Sequence, residues 1–463
     1  MSATTPATTT RRSFLADTGG LAAASMLSSQ ALGAAHPGHT DTIRIALVGC
    51  GGRGGGATVN ALSVPGADLQ LVAAADVFAG KPDAAVEAIS EQFGDSVDVP
   101  PERRFVGFDG YRHAMDCLRP GDIVILTTPP AFRWVHYGYA IEKRLNVFME
   151  KPVTVDGPTS RRMLELNRRA VAANLKVGVG LMSRHNHGMR ELQRRIQDGE
   201  LGELLLLRGY RMHGPAAYFR SLPKPEGITE LMYQIQRFHS FLWASGGNFS
   251  DFNIHIVDHL CWMKGDWPIR AQAIGGRHYR ESKAGIEYVD QNLDSYGVEY
   301  TFADGTKMFF DGRCIDGCET IYSSFAHGTK GVAIVSNSGD CGLPSSIFEG
   351  QRTDADKRVW TSDVPEAEQN PYQNEWNSLI AAIRADAPYN EVETGIKTSL
   401  VTSMGRMAAH TGQVITYDDI LNGDHEFAPQ VAELTFDSPA PLQAGPDGRY
   451  PVPMPGQKKN REY

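Results

Sequence analysis

Residues 43–56, IRIALVGCGGRGGG, determine the fold expected for this chain of 463 residues. The first six residues form an apolar run that is typical of a strand buried on both faces of a parallel sheet. Six of the next eight residues are glycine, and Gly49, Gly51 and Gly54 fit the spacing G-x-G-x-x-G. In that motif the chain turns tightly into a helix whose N-terminus binds a pyrophosphate. We therefore predict a dinucleotide-binding loop here rather than a purely structural turn.

An acidic residue at the end of the next apolar run supports this interpretation. Asp76 follows run 69–75 and lies 22 residues after Gly54. A carboxylate at this position accepts hydrogen bonds from ribose hydroxyls and repels a 2′-phosphate. We predict NAD as the cofactor, held by the three motif glycines, Gly52, Arg53 and Asp76. NADP stays an alternative because the Arg53 cation tolerates a phosphate.

Strands and helices alternate through the first third of the chain. Further apolar runs at 122–128 and 146–150 are separated by helical patterns, which is the rhythm of a doubly wound α/β sheet. We predict a Rossmann domain over 42–155. An α+β domain over 156–420 follows, with an open, mainly antiparallel sheet, and then a Pro/Gly-rich arm over 421–463.

Composition excludes several classes of partner. The chain is 41% hydrophobic and 21% charged, with a mean hydropathy of −0.30 and a net charge of −9. An acidic protein is a poor ligand for nucleic acid or anionic membranes. After the N-terminal region no apolar run approaches the ~18 residues of a membrane span. We expect a small neutral molecule as the partner of the mature chain.

The N-terminal region has the features of an export signal. Arg11 and Arg12 precede Ser13, Phe14 and Leu15, as in twin-arginine signals. A mild apolar run and small residues follow in the right order. We predict a signal peptide over 1–35 and a periplasmic or otherwise exported protein, against the alternative of a disordered tail with a chance arginine pair.

Two further motifs follow strand ends, where doubly wound sheets bind ligands. Thr128 and Pro129 come after run 122–128, and Glu150 and Lys151 come after run 146–150. We assign all four to the cofactor cleft. The Lys151 ammonium can also bind a substrate hydroxyl and stabilise an alkoxide. The alternative is a solvated surface lysine.

In order and spacing, these motifs resemble the Gfo/Idh/MocA family of glucose–fructose oxidoreductases and inositol dehydrogenases. The resemblance spans about residues 42–420 and includes the D-x-x-x-H pattern formed by Asp251 and His255. It implies oxidation of a sugar or cyclitol hydroxyl with NAD(P). It also implies that Lys151 and His255 are the catalytic pair, while Asp251 holds the substrate or the imidazole. Some relatives have tyrosine at the position of His255, so the chain is similar to the inositol dehydrogenases there.

The residue types agree with that implication. An imidazole titrates near ~6.5 and can accept a hydroxyl proton at neutral pH. If a helix turn separates the two residues, Asp251 would orient His255. Asp251, His255 and His259 could instead form a metal-binding or helix-capping face. We predict no metal, because a third ligand motif is absent. Arg184 and His185 are candidate substrate-binding residues, or else ordinary surface groups.

We therefore expect an oxidoreductase with tightly bound NAD(P) that acts on a sugar, sugar derivative or cyclitol, assembled as a homo-oligomer, either dimer or tetramer. One alternative is a glycoside hydrolase that uses NAD transiently through oxidation, elimination, hydration and reduction. The other is a non-enzymatic binding protein on the same fold.

Overall fold

Two β-sheets organise the chain, as described by a computed structural model of residues 42–446 and 449–463. These residues fall within one compact unit. The predicted signal peptide over 1–35 lies outside the described residues.

The first sheet has six parallel strands in the order β3-β2-β1-β4-β5-β6. This order confirms the predicted doubly wound fold and places a topological switch point between β1 and β4. The strands are β1 (Ile43–Val48), β2 (Leu69–Asp76), β3 (Arg104–Val106), β4 (Ile123–Leu126), β5 (Asn146–Met149) and β6 (Val177–Val179). The accompanying helices are α1 (Gly52–Leu62), α2 (Lys81–Phe93), α3 (Gly110–Asp116), α4 (Arg133–Glu142) and α5 (Gly157–Ala172).

Two boundaries, the start of α1 and the end of the first sheet, differ from those that the sequence patterns predict. Helix α1 begins at Gly52, although the apolar periodicity starts only at residue 57, because the glycines of the loop already adopt helical geometry. Strand β6 pairs with β5 beyond residue 155, where we placed the end of the first domain. The domain boundaries themselves stay predictions.

The second sheet has nine strands in the order β14-β13-β12-β11-β7-β10-β9-β8-β15. Only the pair β7–β10 is parallel, which confirms the predicted open, mainly antiparallel sheet. The strands are β7 (Leu204–His213), β8 (Arg270–Gly276), β9 (Ser295–Thr301), β10 (Lys307–Cys314), β11 (Ile321–Gly328), β12 (Gly331–Ser336), β13 (Ser346–Glu349), β14 (Arg358–Thr361) and β15 (Ile415–Thr416).

One face of the second sheet packs against helices, and its buried side chains share a core with the first sheet. Tyr300 and Phe310 are fully buried on this face, whereas Ile274 and Phe309 on the opposite face are 80% and 41% exposed. The helices are α6 (His187–Gln197), α7 (Glu230–Gln236), α8 (Leu242–Ser245), α9 (Gly247–Asp251), α10 (Ile254–Lys264), α11 (Pro371–Arg384), α12 (Val392–Thr411) and α13 (Tyr417–Asn422). This packing brings α9 and α10 to the carboxyl edge of the parallel sheet.

The chain after α13 is mostly irregular, with one short 3₁₀ turn at Val431–Glu433. None of the helices within residues 42–446 and 449–463 combines the length and apolar character needed to cross a membrane.

Candidate active site

The glycine loop follows β1 as predicted and leads directly into α1. Gly49 has a φ of +100°, and a Cβ atom there would lie 2.8 Å from the Thr127 backbone. At Gly54 a Cβ atom would lie only 2.1 Å from the Gly49 carbonyl oxygen. Both positions therefore require glycine, since any side chain would push the loop away from β4.

The loop leaves space where a ligand would lie. A Cβ atom at Gly51 or Gly52 would have no heavy atom within 4 Å, and no side chain caps the N-terminus of α1. Asp76 accepts hydrogen bonds from the backbone N–H groups of Cys50 at 2.8 Å and Phe78 at 2.9 Å. An uncapped helix N-terminus beside an acid at the end of β2 fits the pyrophosphate and ribose of a dinucleotide.

Arg53 does not point at that space. Its Nε lies 2.5 Å from Glu150, another nitrogen lies 3.4 Å from Glu375, and its guanidinium stacks over the Tyr372 ring at 4.8 Å. Burial alone would raise the pKa of Glu150, but the Arg53 charge lowers it below its ordinary value. Arg53 therefore joins α1 to the strand end before Lys151 and to α11, and it is not free to receive a 2′-phosphate.

A cavity of about 310 Å³ lies at the carboxyl edge of β4 and β5. The three predicted catalytic residues, Lys151, Asp251 and His255, all line it. Thr128 and Glu150 line it as well, while Pro129 lies half-buried between Thr128 and Pro130. The remaining lining residues are Arg53, Thr127, Pro130, Arg133, Arg211, Phe238, His239, Phe252, Asp340 and Tyr372.

Lys151 is anchored by the chain that carries Asp251. Its ammonium donates to the Asp251 carbonyl oxygen at 2.6 Å and lies 3.6 Å from the carboxylate. The second carboxylate oxygen lies 3.4 Å from His239 Nε2. Burial would raise the pKa of Asp251, but the charge of Lys151 and the contact with His239 lower it to about 2. Asp251 is therefore ionised and holds two groups in place.

A short break between two helices separates Asp251 from His255. Asp251 ends α9, and Phe252 and Asn253, both in right-handed helical geometry, link it to α10, which carries His255. The Asp251 carboxylate lies 3.6 Å from the Lys151 ammonium and 3.4 Å from His239 Nε2, and among the described residues it makes no hydrogen bond to the His255 imidazole. A role of Asp251 in orienting that imidazole stays a prediction.

His255 lies in a buried, charged environment. Burial lowers its pKa to about 4, the charge of Asp340 acts in the opposite direction, and Lys151 and Arg211 lower the pKa further. Asp340 lies 3.6 Å from Arg211, whose guanidinium lies over the Phe252 ring. The imidazole is therefore neutral near pH 7 and able to accept a proton.

Several buried polar atoms around the cavity have no hydrogen-bond partner in the described part of the chain. They are His239 Nδ1, His255 Nδ1, Arg211 Nε, Arg133 Nε and Asp340 Oδ1. Buried polar groups are normally paired, so this concentration fits a ligand rich in donors and acceptors. Sequence reasoning missed His239, Arg211, Arg133 and Asp340, because no short motif marks them.

Arg184 and His185 do not reach the cavity. The Arg184 guanidinium is bonded to the Asp258 carboxylate at 2.8 and 2.9 Å, above the Trp262 ring. The His185 Nε2 lies 2.8 Å from Glu391, and the residue is 2% exposed. Both side chains join the first sheet to α10 and α12, so the structure does not support their predicted role in substrate binding.

The histidines and acids of the alternative metal-binding face make other contacts. His259 Nε2 lies 2.7 Å from the Ser324 hydroxyl, and Asp258 is taken by Arg184 and Thr398. Among the residues that the structure describes, no group of three or more His, Cys, Asp or Glu side chains is placed to hold a metal ion.

The chain is similar in sequence to inositol dehydrogenases. No protein-family model matches it. Inositol 2-dehydrogenase of Rhizobium meliloti is 27% identical over 355 residues, which cover 75% of this chain and 90% of that protein. Inositol 2-dehydrogenase of Corynebacterium glutamicum is 30% identical over 125 residues, or 27% of this chain. That second match spans only 35% of the relative's own length.

Two solved structures share the fold. The scyllo-inositol dehydrogenase of Lactobacillus casei with bound NAD(H) and scyllo-inositol has a TM-score of 0.58 at 20% identity. It covers 81% of this chain and 99% of its own. Levoglucosan dehydrogenase in complex with NADH and levoglucosan has a TM-score of 0.61 at 16% identity, covering 81% of this chain and 100% of its own.

Proposed function

We propose that this chain is an oxidoreductase of the Gfo/Idh/MocA family and that it oxidises a hydroxyl of a sugar, sugar derivative or cyclitol with NAD. One observation carries the proposal. Lys151 lies 100 residues before Asp251 in the sequence, yet Lys151, Asp251 and His255 line one cavity beside the glycine loop. The inositol 2-dehydrogenase relatives and the sugar dehydrogenases of the same fold support the substrate class.

The residues at the glycine loop fit NAD. Gly51 and Gly52 leave the N-terminus of α1 open to a pyrophosphate, and the Asp76 carboxylate beside this loop is our candidate to bind the ribose hydroxyls. Thr128 and Glu150 border the cavity at the ends of β4 and β5. When bound, NAD supplies the acceptor for the hydride that leaves the carbon of the substrate hydroxyl.

The cavity residues handle the proton. Lys151 donates one N–H to the Asp251 carbonyl and has further N–H groups for a substrate hydroxyl. Its charge stabilises the oxygen as negative charge develops there. The neutral His255 imidazole then accepts the hydroxyl proton, and the same group returns it in the reverse direction.

The cavity favours a single polyhydroxylated ring. At about 310 Å³ it lies at the lower end of the ~300–1,000 Å³ range of small-molecule sites. Arg211, Asp340 and His239 line it with polar side chains, and each has one buried atom without a hydrogen-bond partner among the described residues. A ring with several hydroxyls offers hydrogen bonds to such a lining, whereas an apolar alcohol does not.

The test is a spectroscopic titration of the purified protein supplied with NAD. Cyclitols and aldoses should produce the near-ultraviolet absorbance of reduced nicotinamide, and simple aliphatic alcohols should not. A chromogenic glycoside serves as the second arm. Release of its chromophore without net nicotinamide reduction would replace the dehydrogenase with the hydrolase alternative, and no response to any polyol would overturn the proposal.

We further propose that the protein is exported through the twin-arginine route, with Arg11 and Arg12 in a signal peptide over 1–35. The sequence order of arginines, apolar run and small residues supports it. Cell fractionation of the full chain and of a variant with both arginines replaced by lysine tests it. Equal distribution of the two proteins between compartments would contradict export.

We also propose that the protein assembles as a homo-oligomer, either a dimer or a tetramer. The exposed face of the second sheet presents Ile274 and Phe309 to solvent, and this open face supports the proposal of a subunit contact. Light scattering of the purified protein measures the state, and a monomer at working concentration would contradict it.

A further inference from the structure

Residues 449–463 contain a buried acid among exposed neighbours. Gln457, Lys459, Asn460 and Arg461 are exposed, whereas Glu462 is 3% exposed. A carboxylate this deep requires a charged partner. The partner is Arg406 in α12, which is itself 1% exposed.

The Arg406 guanidinium donates hydrogen bonds to three segments of the chain. Its Nε donates to Glu462 Oε2 at 2.9 Å, and a terminal nitrogen donates to Glu462 Oε1 at 2.9 Å and to the Val155 carbonyl at 3.1 Å. The other nitrogen donates to the Gly246 carbonyl at 3.0 Å and to the Ser250 hydroxyl at 2.8 Å. All five N–H groups therefore have acceptors.

Those acceptors lie next to the cavity in sequence. Ser250 immediately precedes Asp251, and Gly246 begins the turn into α9. Val155 lies four residues after Lys151. One guanidinium thus ties the backbone that carries Asp251 to the backbone that carries Lys151.

Glu462 is fixed on its other side too. His410 Nδ1 lies 2.6 Å from Glu462 Oε2, and His410 Nε2 lies 2.9 Å from the Tyr296 hydroxyl in β9. The neighbouring Tyr463 ring stacks on Phe427 at 5.4 Å. The carboxylate therefore occupies one defined place.

We propose that Glu462 is a positioning residue that acts through Arg406 to hold the Gly246–Asp251 segment in register with Lys151. Without the carboxylate the buried guanidinium has no compensating charge, and it moves toward water. Its hydrogen bonds to Gly246, Ser250 and Val155 leave with it. Asp251 then loses its placement on the Lys151 ammonium.

The test compares Glu462→Gln with Arg461→Gln in the full chain. Arg461 is the adjacent exposed residue, so its replacement controls for a change of charge at the same place. Hydrogen exchange is measured at residues 246–251 and 153–156, and kcat and KM are measured with the polyol identified under the proposed function. We expect faster exchange in both segments and a kcat lowered about ten- to a hundredfold for Glu462→Gln, with a smaller change in KM. Arg461→Gln should match the unaltered protein.

A shortened chain provides a second measurement. A variant ending at Pro455 should show the same two effects, and a peptide of residues 456–463 added in excess should restore slow exchange and kcat. Unchanged exchange at residues 246–251 in Glu462→Gln overturns the proposal, and so does faster exchange with unchanged kcat.

The catalytic half of this inference rests on the proposed function, and the exchange measurement separates the two. If the unaltered protein oxidises no polyol, the proposed function fails, while faster exchange in Glu462→Gln still shows that Glu462 holds the Gly246–Asp251 segment through Arg406.

Discussion

Charge pairing decides which groups of the cavity can react. Glu150 is engaged by Arg53, and Asp251 is engaged by Lys151 and His239. His255 stays neutral, with an Nδ1 that has no partner among the described residues. The cavity thus offers one ammonium for a developing alkoxide and one base for its proton.

Replacing either catalytic candidate should stop turnover. We expect Lys151→Met and His255→Ala each to lower kcat by about 10²–10⁴-fold, because a positioned acid or base contributes that much. Both variants should keep their nucleotide, since neither residue lies at the pyrophosphate end of the loop. Steady-state rates and bound-nucleotide content check this.

Lys143→Met is the matched control, because Lys143 is a half-exposed partner of Asp116 and does not line the cavity. A near-normal rate for Lys151→Met or for His255→Ala would remove that residue from the mechanism.

The pH profile should report the lowered pKa of His255. Oxidation requires the unprotonated imidazole, so kcat/KM should hold steady from neutral pH downward and fall only as the pH passes about 4, not near the ordinary 6.5. Asp340→Asn removes the charge that raises this pKa, so the acid limb should move to still lower pH. An acid limb near 6.5, or one that Asp340→Asn moves upward, would contradict this assignment.

At the scale of elements, the neighbouring glycines between β1 and α1 differ in the space available for a side chain. A Cβ atom at Gly54 collides with the Gly49 carbonyl, whereas one at Gly55 meets nothing within 4 Å. Gly54→Ala should therefore abolish nucleotide binding and destabilise the fold. Gly55→Ala should keep binding and stabilise the protein by about 0.5–1 kcal/mol, because alanine loses less backbone entropy in a helix.

Thermal unfolding and nucleotide titration of the two alanine variants distinguish these effects. Equal behaviour of the two variants would mean that the loop geometry described here is wrong.

Strand β2 ends in Asp76, the residue that we expect to favour NAD over NADP. Asp76 brings negative charge to the ribose end of the loop, while Arg53 is turned toward Glu150 and Glu375. We expect NAD to bind more tightly than NADP. The variant Asp76→Asn should reduce the difference between the two affinities, because it removes the negative charge while it keeps an acceptor for the Cys50 N–H. Titrations of nucleotide-free protein measure both affinities, and equal or tighter binding of NADP by the unaltered protein would refute the assignment.

At the scale of the whole molecule, the proposed export has a consequence for the cofactor. The twin-arginine route carries folded proteins, so a chain exported this way can leave with its nucleotide already bound. No pool replaces the nucleotide outside the cytoplasm, so a protein that keeps it must restore its redox state in each cycle. Oxidation of one sugar with reduction of another, epimerisation, or oxidation followed by elimination and reduction would each do so.

We expect protein purified from the exported fraction to release NAD(H) on denaturation and to turn over without added nucleotide. Nucleotide analysis of the denatured sample and product assays of the intact protein check this. Empty protein, or a need for one added NAD per product formed, would exclude the closed cycle.

The local sequence determined much of the first sheet and its loop. Apolar runs and the steric need for glycine act between near neighbours, so β1, the G-x-G-x-x-G turn and the strand-end motifs at Thr128 and Lys151 could be predicted. The alternation of apolar and polar residues likewise predicted the antiparallel sheet. Helices α7 to α9 were missed, because they are short and their residues are buried all round, which leaves no amphipathic period.

Only the tertiary structure determined which charged side chains contact one another. His239, Asp340 and Glu462 belong to separate segments, and no spacing along the chain relates them to Lys151 or Arg406. Their pairing depends on which helices the second sheet brings to the edge of the first, and on burial that makes each unpaired charge costly. For the same reason the sequence did not show that Arg184 and His185 pair with Asp258 and Glu391, or that the Asp251 carboxylate lies beside Lys151 and His239.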